Sequence, residues 1–162
     1  MTYKYQKGVV FGNWDRFHAG HKATLNRAFE LCENVLILFT KSLYHVALNR
    51  ESWGIEDIGY RQNVVKDYVD NILIVTNRVS YSTYDTMDDL LSNAGIFDFE
   101  VIISGVKDRG NCWVNTYPNI VQARINAGKG EPILENVETV YMSDGQPFSS
   151  SKLRKREKLG ID

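Results

Sequence analysis

Two of the three histidines in the chain lie close together, in the segment FGNWDRFHAGHK at residues 11–22. This segment follows an apolar run and precedes a stretch with helical periodicity. If a helix begins near Ala19 or Gly20, His18 and His21 lie about one turn apart and can point the same way. The N-terminus of a helix attracts anions through its backbone N–H groups and its dipole. The spacing therefore favours a phosphate site, with a metal site and a buried turn as alternatives.

The metal site is the weakest of these three interpretations. Zinc would need a third ligand, and the candidates His45, Cys32 and Cys112 have no recognisable spacing. Cys32 also falls on the apolar face of the predicted helix. A partly buried, capped turn explains the two histidines taken alone, but it does not explain a second segment of similar chemistry further along the sequence.

That second segment is FSSSKLR, residues 148–154. Serines at the N-terminus of a helix can cap the helix and donate hydrogen bonds to phosphate oxygens. Lysine and arginine in the same turn add positive charge. We therefore expect a second set of phosphate-binding residues, made up of Ser149, Ser150, Ser151, Lys152 and Arg154.

Short apolar runs alternate with longer segments of helical pattern along the chain. The runs are rich in Val, Ile and Leu without strict alternation, as expected of strands covered on both faces. The predicted strands are 8–12, 34–40, 71–76, 99–104 and 138–143. The predicted helices are 20–32, 59–71, 82–95 with Gly95 as its stop, 119–128, and a late helix starting at the serines of FSSSKLR. Residues 128–138 are interpreted as a surface loop.

This alternation predicts βαβ units with right-handed crossovers, and hence a doubly wound, five-stranded parallel α/β sheet in a single domain of residues 1–162. Ligands bind outside the carboxyl ends of the strands in such sheets. Gly12 would allow a tight exit from the first strand, and Gly20 would let a ligand approach the backbone. Lys41 and Lys107, just past the second and fourth strands, are expected at the same edge of the sheet.

Composition limits the partners that this site can serve. The formal net charge is −1, from 19 basic and 20 acidic residues, so no global field draws the protein to nucleic acid or to an anionic membrane. The basic run at residues 152–158 is interpreted as a solvated helix face. The two cysteines fit no disulfide framework, and no apolar stretch has the length of a signal or membrane span. We expect a cytoplasmic protein with a local anion site.

The two segments resemble the paired signatures of the nucleotidyltransferase superfamily, G-T-F-D-x-x-H-x-G-H and I-S-S-T-x-I-R. The first signature, residues 12–21, is matched at Gly12, Asp15, His18, Gly20 and His21, with Asn13 in place of Thr and Trp14 in place of Phe. The second signature is residues 148–154. The order of TYP (116–118), a helix, a Gly-rich turn ending in EP, a strand and DGQPFSSSKLR is similar to that of phosphopantetheine adenylyltransferases of the archaeal and eukaryotic type.

This resemblance implies a Rossmann-like nucleotidyltransferase fold and a step of coenzyme A biosynthesis, the transfer of AMP from ATP to 4′-phosphopantetheine with release of pyrophosphate. Mg²⁺ would bridge phosphate oxygens, without ligands from protein side chains. The implied catalytic residues are His18, His21 and Lys22. The two histidines would stabilise the charge on the transferred phosphoryl and the leaving group, and Lys22 would hold the phosphates with Lys152 and Arg154. Lys41 or Lys107 could hold the phosphate of the acceptor. The implied nucleotide-binding residues are Gly12, Asn13, Trp14, Asp15, Gly20, Ser149, Ser150, Ser151, Lys152 and Arg154, and for Asp15 a structural role in the loop is an equal alternative.

Several other functions use the same two signatures. They include cytidylyl transfer from CTP to a polyol phosphate or choline phosphate, and adenylyl transfer to nicotinamide mononucleotide. A protein that binds nucleotides without catalysing a reaction is an alternative that is not an enzyme. It is suggested only by Asn13 and Trp14, which depart from the signature. A small RNA-binding relative of the class I synthetases is a weaker one. The expected partners are ATP or CTP and a phosphorylated small molecule, with a homo-oligomer as an open option.

Overall fold

The computed structural model describes residues 2–12, 14–41, 56–85, 89–90, 98–105, 110–148 and 150–160, and of residues 110–116, 150 and 151 it describes only the helical backbone. The predictions made for Asn13, Lys107 and Ser149, and for a helix end at Gly95, lie outside these ranges. The strands are β1 (Tyr5–Gly12), β2 (Cys32–Thr40), β3 (Val79–Tyr84), β4 (Val101–Ser104) and β5 (Ile133–Asn136). The helices are α1 (Ala19–Leu31), α2 (Ile58–Asp67), a π-helical turn (Tyr68–Leu73), a 3₁₀ turn (Thr76–Arg78), α3 (Gly110–Asn126) and α4 (Ser150–Lys158).

The five strands form one sheet in the order β3-β2-β1-β4-β5, and every neighbouring pair is parallel. The chain thus winds outwards from β1 in both directions, which is the doubly wound arrangement. Successive residues of β1 face opposite sides, because Val10 belongs to the core under α1 and Val9 to the core under α3. The predicted α/β sheet is confirmed, and its carboxyl edge carries the loop between β1 and α1.

The third predicted strand, 71–76, is wrong. These residues continue α2 into the π-helical turn and end it at Ile74, whose φ of 54° is left-handed. Ile72 and Ile74 are largely exposed, whereas Leu73 and Val75 pack into the core, so the apolar residues of this run are divided between solvent and core. The strand is instead β3, a polar and half-exposed stretch at the sheet edge. Its residues 82–84 were predicted as the start of a helix, which is also wrong.

The fifth predicted strand, 138–143, is wrong as well. β5 pairs with β4 from Ile133 to Asn136, inside the stretch that was interpreted as a surface loop. It is an edge strand of four residues, and Ile133 is 48% exposed, so its apolar signal is weak. Residues 140–148 form a hairpin-like turn instead, in which Tyr141 and Pro147 make an isolated antiparallel bridge.

The strands β1, β2 and β4 and the helices α1, α2 and α4 agree with the sequence pattern, whereas α3 begins at Gly110, well before the predicted start at residue 119. Most of the predicted helix 82–95 lies outside the described residues. Pro118 lies inside this helix. Among the helices of the described ranges, none is long and apolar enough to cross a membrane.

Cys32, the first residue of β2, packs against Gly8 of β1. A Cβ atom added to Gly8 would lie 2.5 Å from the Cys32 Sγ atom, so only glycine fits opposite this thiol. Burial raises the pKa of the Cys32 thiol from 9.0 to about 11. The thiol therefore stays protonated in the folded protein at neutral pH.

We expect this thiol to react with a thiol reagent in denaturant and to resist it in the folded protein at about pH 8, because the thiolate is the nucleophile. The raised pKa also predicts that stability falls as the pH rises from 9.0 towards about 11, because the unfolded chain ionises first. Thiol labelling is measured in a Cys112→Ser background, so that the reaction of Cys32 alone is counted. Rapid labelling of the folded variant would contradict the prediction.

Candidate functional site

The loop between β1 and α1 has a strained but well-anchored backbone. Trp14 and Arg16 have left-handed φ angles of 59° and 49°. Such angles cost about 1–3 kcal/mol each for residues other than glycine, and they persist only where the surroundings hold them. The Trp14 side chain is buried, and its Nε1–H donates to the carbonyl of Leu38 at 2.9 Å. The indole thus anchors the loop to β2.

His18 is the N-cap of α1. Its Nδ1 accepts the backbone N–H groups of Gly20 at 3.1 Å and of His21 at 3.4 Å. The His21 Nδ1 accepts the backbone N–H of His18 at 3.3 Å, so the two histidines form a reciprocal capping box. Because both Nδ1 atoms accept, this network assigns the proton of each neutral ring to Nε2. An Nε2–H group is the donor that a phosphate oxygen needs.

Five rings form a continuous aromatic stack that begins at the second signature. Phe148 stacks on His18 with ring centroids 5.6 Å apart, and His18 stacks on His21 at 3.7 Å. Phe17 also stacks on His21, with ring centroids 5.7 Å apart. Tyr68 meets Phe17 edge-on at 5.3 Å. The stack therefore joins the two signatures and the π-helical turn.

The hairpin-like turn at residues 140–148 brings Phe148 to this position. The Phe148 N–H donates to the carbonyl of Val140 at 3.1 Å, and the Met142 N–H donates to that of Gln146 at 2.7 Å. Gly145 has a φ of 85°, which glycine adopts without strain. The turn fixes the chain just before α4, and so places the start of α4 beside the N-terminus of α1.

The two glycines of the first signature have different surroundings. A Cβ atom on Gly20 would lie 2.9 Å from His18 Cε1 and 3.7 Å from the Phe148 Cβ, so glycine lets the stack close there. Among the described residues, none has an atom within 4 Å of a Cβ built on Gly12, whose φ is not left-handed. The backbone and the described surroundings therefore do not require glycine at position 12. Ligand contacts at both glycines stay predictions.

Asp15 and Arg154 form a buried ion pair between the two signatures, through Asp15 Oδ2 and Arg154 Nη1. The Asp15 carboxylate is fully buried, and Arg154 is 2% exposed. Asp15 Oδ1 accepts from the Glu56 backbone N–H at 2.8 Å and from Arg16 Nη1 at 2.9 Å. This geometry supports the structural role for Asp15. A guanidinium carries five N–H donors, and phosphate binding by Arg154 stays a prediction.

Arg16 makes a second connection between the loop and α4. Its Nε donates to Glu157 of α4 at 2.5 Å, and its backbone N–H donates to Glu56 Oε1 at 2.9 Å. Glu157 is about half exposed, so this ion pair is more hydrated than the pair of Asp15 and Arg154. The loop, the entrance to α2 and α4 are thus held together by charged side chains.

Arg61 of α2 lies at the same edge, and its position was not assigned from the sequence. It is 3% exposed, and its Nη1 donates to the carbonyl of Thr40 at 2.9 Å, at the end of β2. Burial lowers its pKa from the ordinary arginine value. A signal was present in the sequence, because Arg61 stands in line with Val65 and Val69, the buried residues of the same helical face.

The predicted lysines lie at the surface around this site. The Lys22 Nζ lies 5.7 Å from the ring centroids of both Phe17 and Tyr68. Lys152 Nζ donates to Gln146 Oε1 at 3.0 Å, and Lys41 is exposed just past β2. Within the described ranges, no group of three or more His, Cys, Asp or Glu is arranged to hold a metal ion. The roles of these lysines stay predictions.

The sheet order, the loop after β1 and the late helix define the class of fold, that of the Rossmann-like nucleotidyltransferases. The bifunctional NMN adenylyltransferase/ADP ribose pyrophosphatase of Francisella tularensis superposes on this chain with a TM-score of 0.66 at 16% identity. The match covers 97% of this chain and 43% of that one. No protein-family model matches the sequence.

Two proteins of similar sequence indicate which kind of nucleotidyltransferase this chain resembles. The phosphopantetheine adenylyltransferase of Methanothermobacter thermautotrophicus is 28% identical over 160 residues, which is 97% of this chain and 88% of that protein. The one from Methanosarcina barkeri is 28% identical over 159 residues, 93% of this chain and 88% of that protein. The resemblance drawn from the two signatures is confirmed. The chain is similar over nearly its whole length to archaeal enzymes of this kind.

Proposed function

We propose that the chain is a nucleotidyltransferase that transfers the AMP moiety of ATP to 4′-phosphopantetheine, which gives dephospho-coenzyme A and pyrophosphate. The observation that carries the proposal is the contact of Phe148 with His18, because it brings together the two segments that are predicted to bind phosphate. The nearly full-length similarity to phosphopantetheine adenylyltransferases supports the choice of nucleotide and acceptor.

The reaction needs positioning and charge stabilisation more than it needs a protein nucleophile. A phosphate oxygen of the acceptor attacks the α-phosphorus of ATP in line, and the bond to the pyrophosphate oxygen breaks. The Nε2–H groups of His18 and His21 donate to the oxygens on which charge develops, beside the N-terminus of α1. Further positive charge and donors for the leaving pyrophosphate come from Lys22, Ser149, Ser150, Ser151, Lys152 and Arg154.

The metal enters as part of the substrate, Mg²⁺·ATP. In phosphoryl-transfer enzymes, Mg²⁺ bridges phosphate oxygens and neutralises their charge. The loop carboxylate Asp15 is engaged by Arg154, Arg16 and the Glu56 N–H. This arrangement supports a divalent ion held by the triphosphate rather than by Asp15. Mg²⁺ as the particular ion, a cytoplasmic location and a single domain over residues 1–162 stay part of the proposal.

A matrix of nucleotides and acceptors tests the proposal. Pyrophosphate release is measured with ATP or CTP against 4′-phosphopantetheine, nicotinamide mononucleotide and a polyol phosphate. We expect turnover with ATP and 4′-phosphopantetheine. Pantetheine is the matched control, because it lacks the phosphate group and therefore the phosphate oxygen that attacks. Turnover only with CTP or with another acceptor would identify a different transferase, and ATP binding without any turnover would identify a binding protein.

A further inference from the structure

Tyr68 belongs to neither signature, yet it lies at the outer end of the aromatic stack. It is the first residue of the π-helical turn that follows α2. Its ring meets Phe17 edge-on at 5.3 Å, and Phe17 stacks on His21. Short π-helical turns are rare and are often found at functional sites. Tyr68 therefore contacts Phe17, whose ring stacks on one of the two histidines of the predicted phosphate site.

Lys22 connects Tyr68 to the phosphate chemistry. The Lys22 Nζ lies 5.7 Å from the Tyr68 ring centroid and 5.7 Å from that of Phe17. An ammonium at this distance is attracted by the negative faces of both rings. Lys22 is exposed, and a lysine side chain is flexible. The two rings therefore hold the ammonium beside Phe17, whose ring stacks on His21.

A hydrogen bond fixes the Tyr68 ring in this position. The Tyr68 hydroxyl donates to Asn26 Oδ1 at 2.7 Å. Asn26 lies one turn after Lys22 on the same face of α1. The next residue of the π-helical turn, Val69, is fully buried in the core under α1. Tyr68 is thus anchored by the core, by Asn26 and by Phe17.

We propose that Tyr68 is a positioning residue for the triphosphate: with Phe17 it holds the Lys22 ammonium beside the paired histidines. This inference rests on the proposed function for the role of Lys22. Tyr68 acts through Lys22 and has no contact of its own with the reacting atoms.

Tyr68→Leu is expected to raise the KM for ATP by about two- to fivefold, the effect of one lost cation–π contact. The KM for the acceptor stays unchanged. Tyr68→Phe is an intermediate variant, since it keeps the ring but loses the hydroxyl bond to Asn26, and its KM for ATP should rise less than that of Tyr68→Leu. Tyr60→Leu, at a tyrosine of α2 that is 56% exposed, controls for loss of an aromatic surface residue. A KM for ATP in Tyr68→Leu equal to that of the wild type would overturn the inference.

A double-mutant cycle separates positioning from general damage to the fold. In a Lys22→Met background, Tyr68→Leu should produce no further change in the KM for ATP. An equal rise in both backgrounds would show that Tyr68 does not act through Lys22. The Kd for Mg²⁺·ATP, measured by calorimetry on the same four proteins, gives a readout that does not need turnover.

The outcomes also distinguish this inference from the proposed function. If the wild type binds Mg²⁺·ATP but transfers nothing, the proposed function fails, and the coupling in Kd still decides the role of Tyr68. If the wild type transfers AMP and the cycle is additive, only the role of Tyr68 fails. Absence of both binding and transfer in the wild type overturns both.

Discussion

Replacement of His18 by alanine is expected to lower adenylyl transfer by about two to three orders of magnitude, the usual effect of removing one preorganised donor to a developing negative charge. The same change removes the N-cap of α1 and is expected to lower the free energy of unfolding by about 1 kcal/mol. Pyrophosphate release measures the first effect, and urea denaturation measures the second. The two effects arise from different nitrogens of one ring.

His18→Asn separates these two contributions. The side-chain oxygen of asparagine is a good N-cap acceptor and can replace Nδ1 towards the Gly20 N–H. We therefore expect this variant to keep most of the stability of the wild type while transfer remains low, because the Nε2–H donor is lost. Transfer at the wild-type rate in His18→Asn would show that His18 only caps the helix.

Replacement of Asp15 by asparagine is expected to lower the free energy of unfolding by about 3–5 kcal/mol, the largest effect on stability that the site offers. The change removes the negative charge opposite Arg154, which is buried and cannot regain full hydration. Asparagine is close to aspartate in shape, so the loss reports the charge rather than a cavity. Equilibrium unfolding in urea measures it.

Two further variants control this measurement. Glu157→Gln removes the charge of the other connection between the loop and α4, and we expect it to cost less than about 1 kcal/mol because Glu157 is 53% exposed. Asp15→Asn combined with Arg154→Met removes both charges of the buried pair, so much of the lost stability should return. A loss below about 1 kcal/mol in Asp15→Asn alone would contradict the buried pair.

The centre of the fold could be predicted from the sequence, and its edges could not. β1 and β2 carry continuous apolar runs because both of their faces are largely buried, and α1 carries a helical period because one of its faces packs on the sheet. β3 and β5 are edge strands with half-exposed residues, so their patterns resemble those of loops and helices. The apolar residues at 71–76 were misleading because the chain there continues as a π-helical turn with exposed isoleucines.

In the site, too, the geometry set by neighbouring residues could be predicted, and the geometry set by the packing of distant elements could not. His18 and His21 were predicted as a pair at a helix start, because four residues of sequence decide that geometry. The spacing of Arg61 with Val65 and Val69 indicates a buried helical face, but the contact of Arg61 with Thr40 and the stacking of Tyr68 depend on how α2 packs against the loop. The approach of a ligand at Gly20 stays a prediction, and the structure adds a second reason for glycine there, because a Cβ atom would lie 2.9 Å from the His18 ring.

The ion pair of Asp15 and Arg154 joins residues 139 positions apart in the chain. During synthesis, the first signature leaves the ribosome long before its partner, and for that period Asp15 has no Arg154 to neutralise it. Contacts between such distant residues form late, since the entropy of closing the intervening chain must be overcome first. We therefore expect enzymatic activity to appear at the end of folding rather than gradually. The time at which activity appears would then report when the native state is complete.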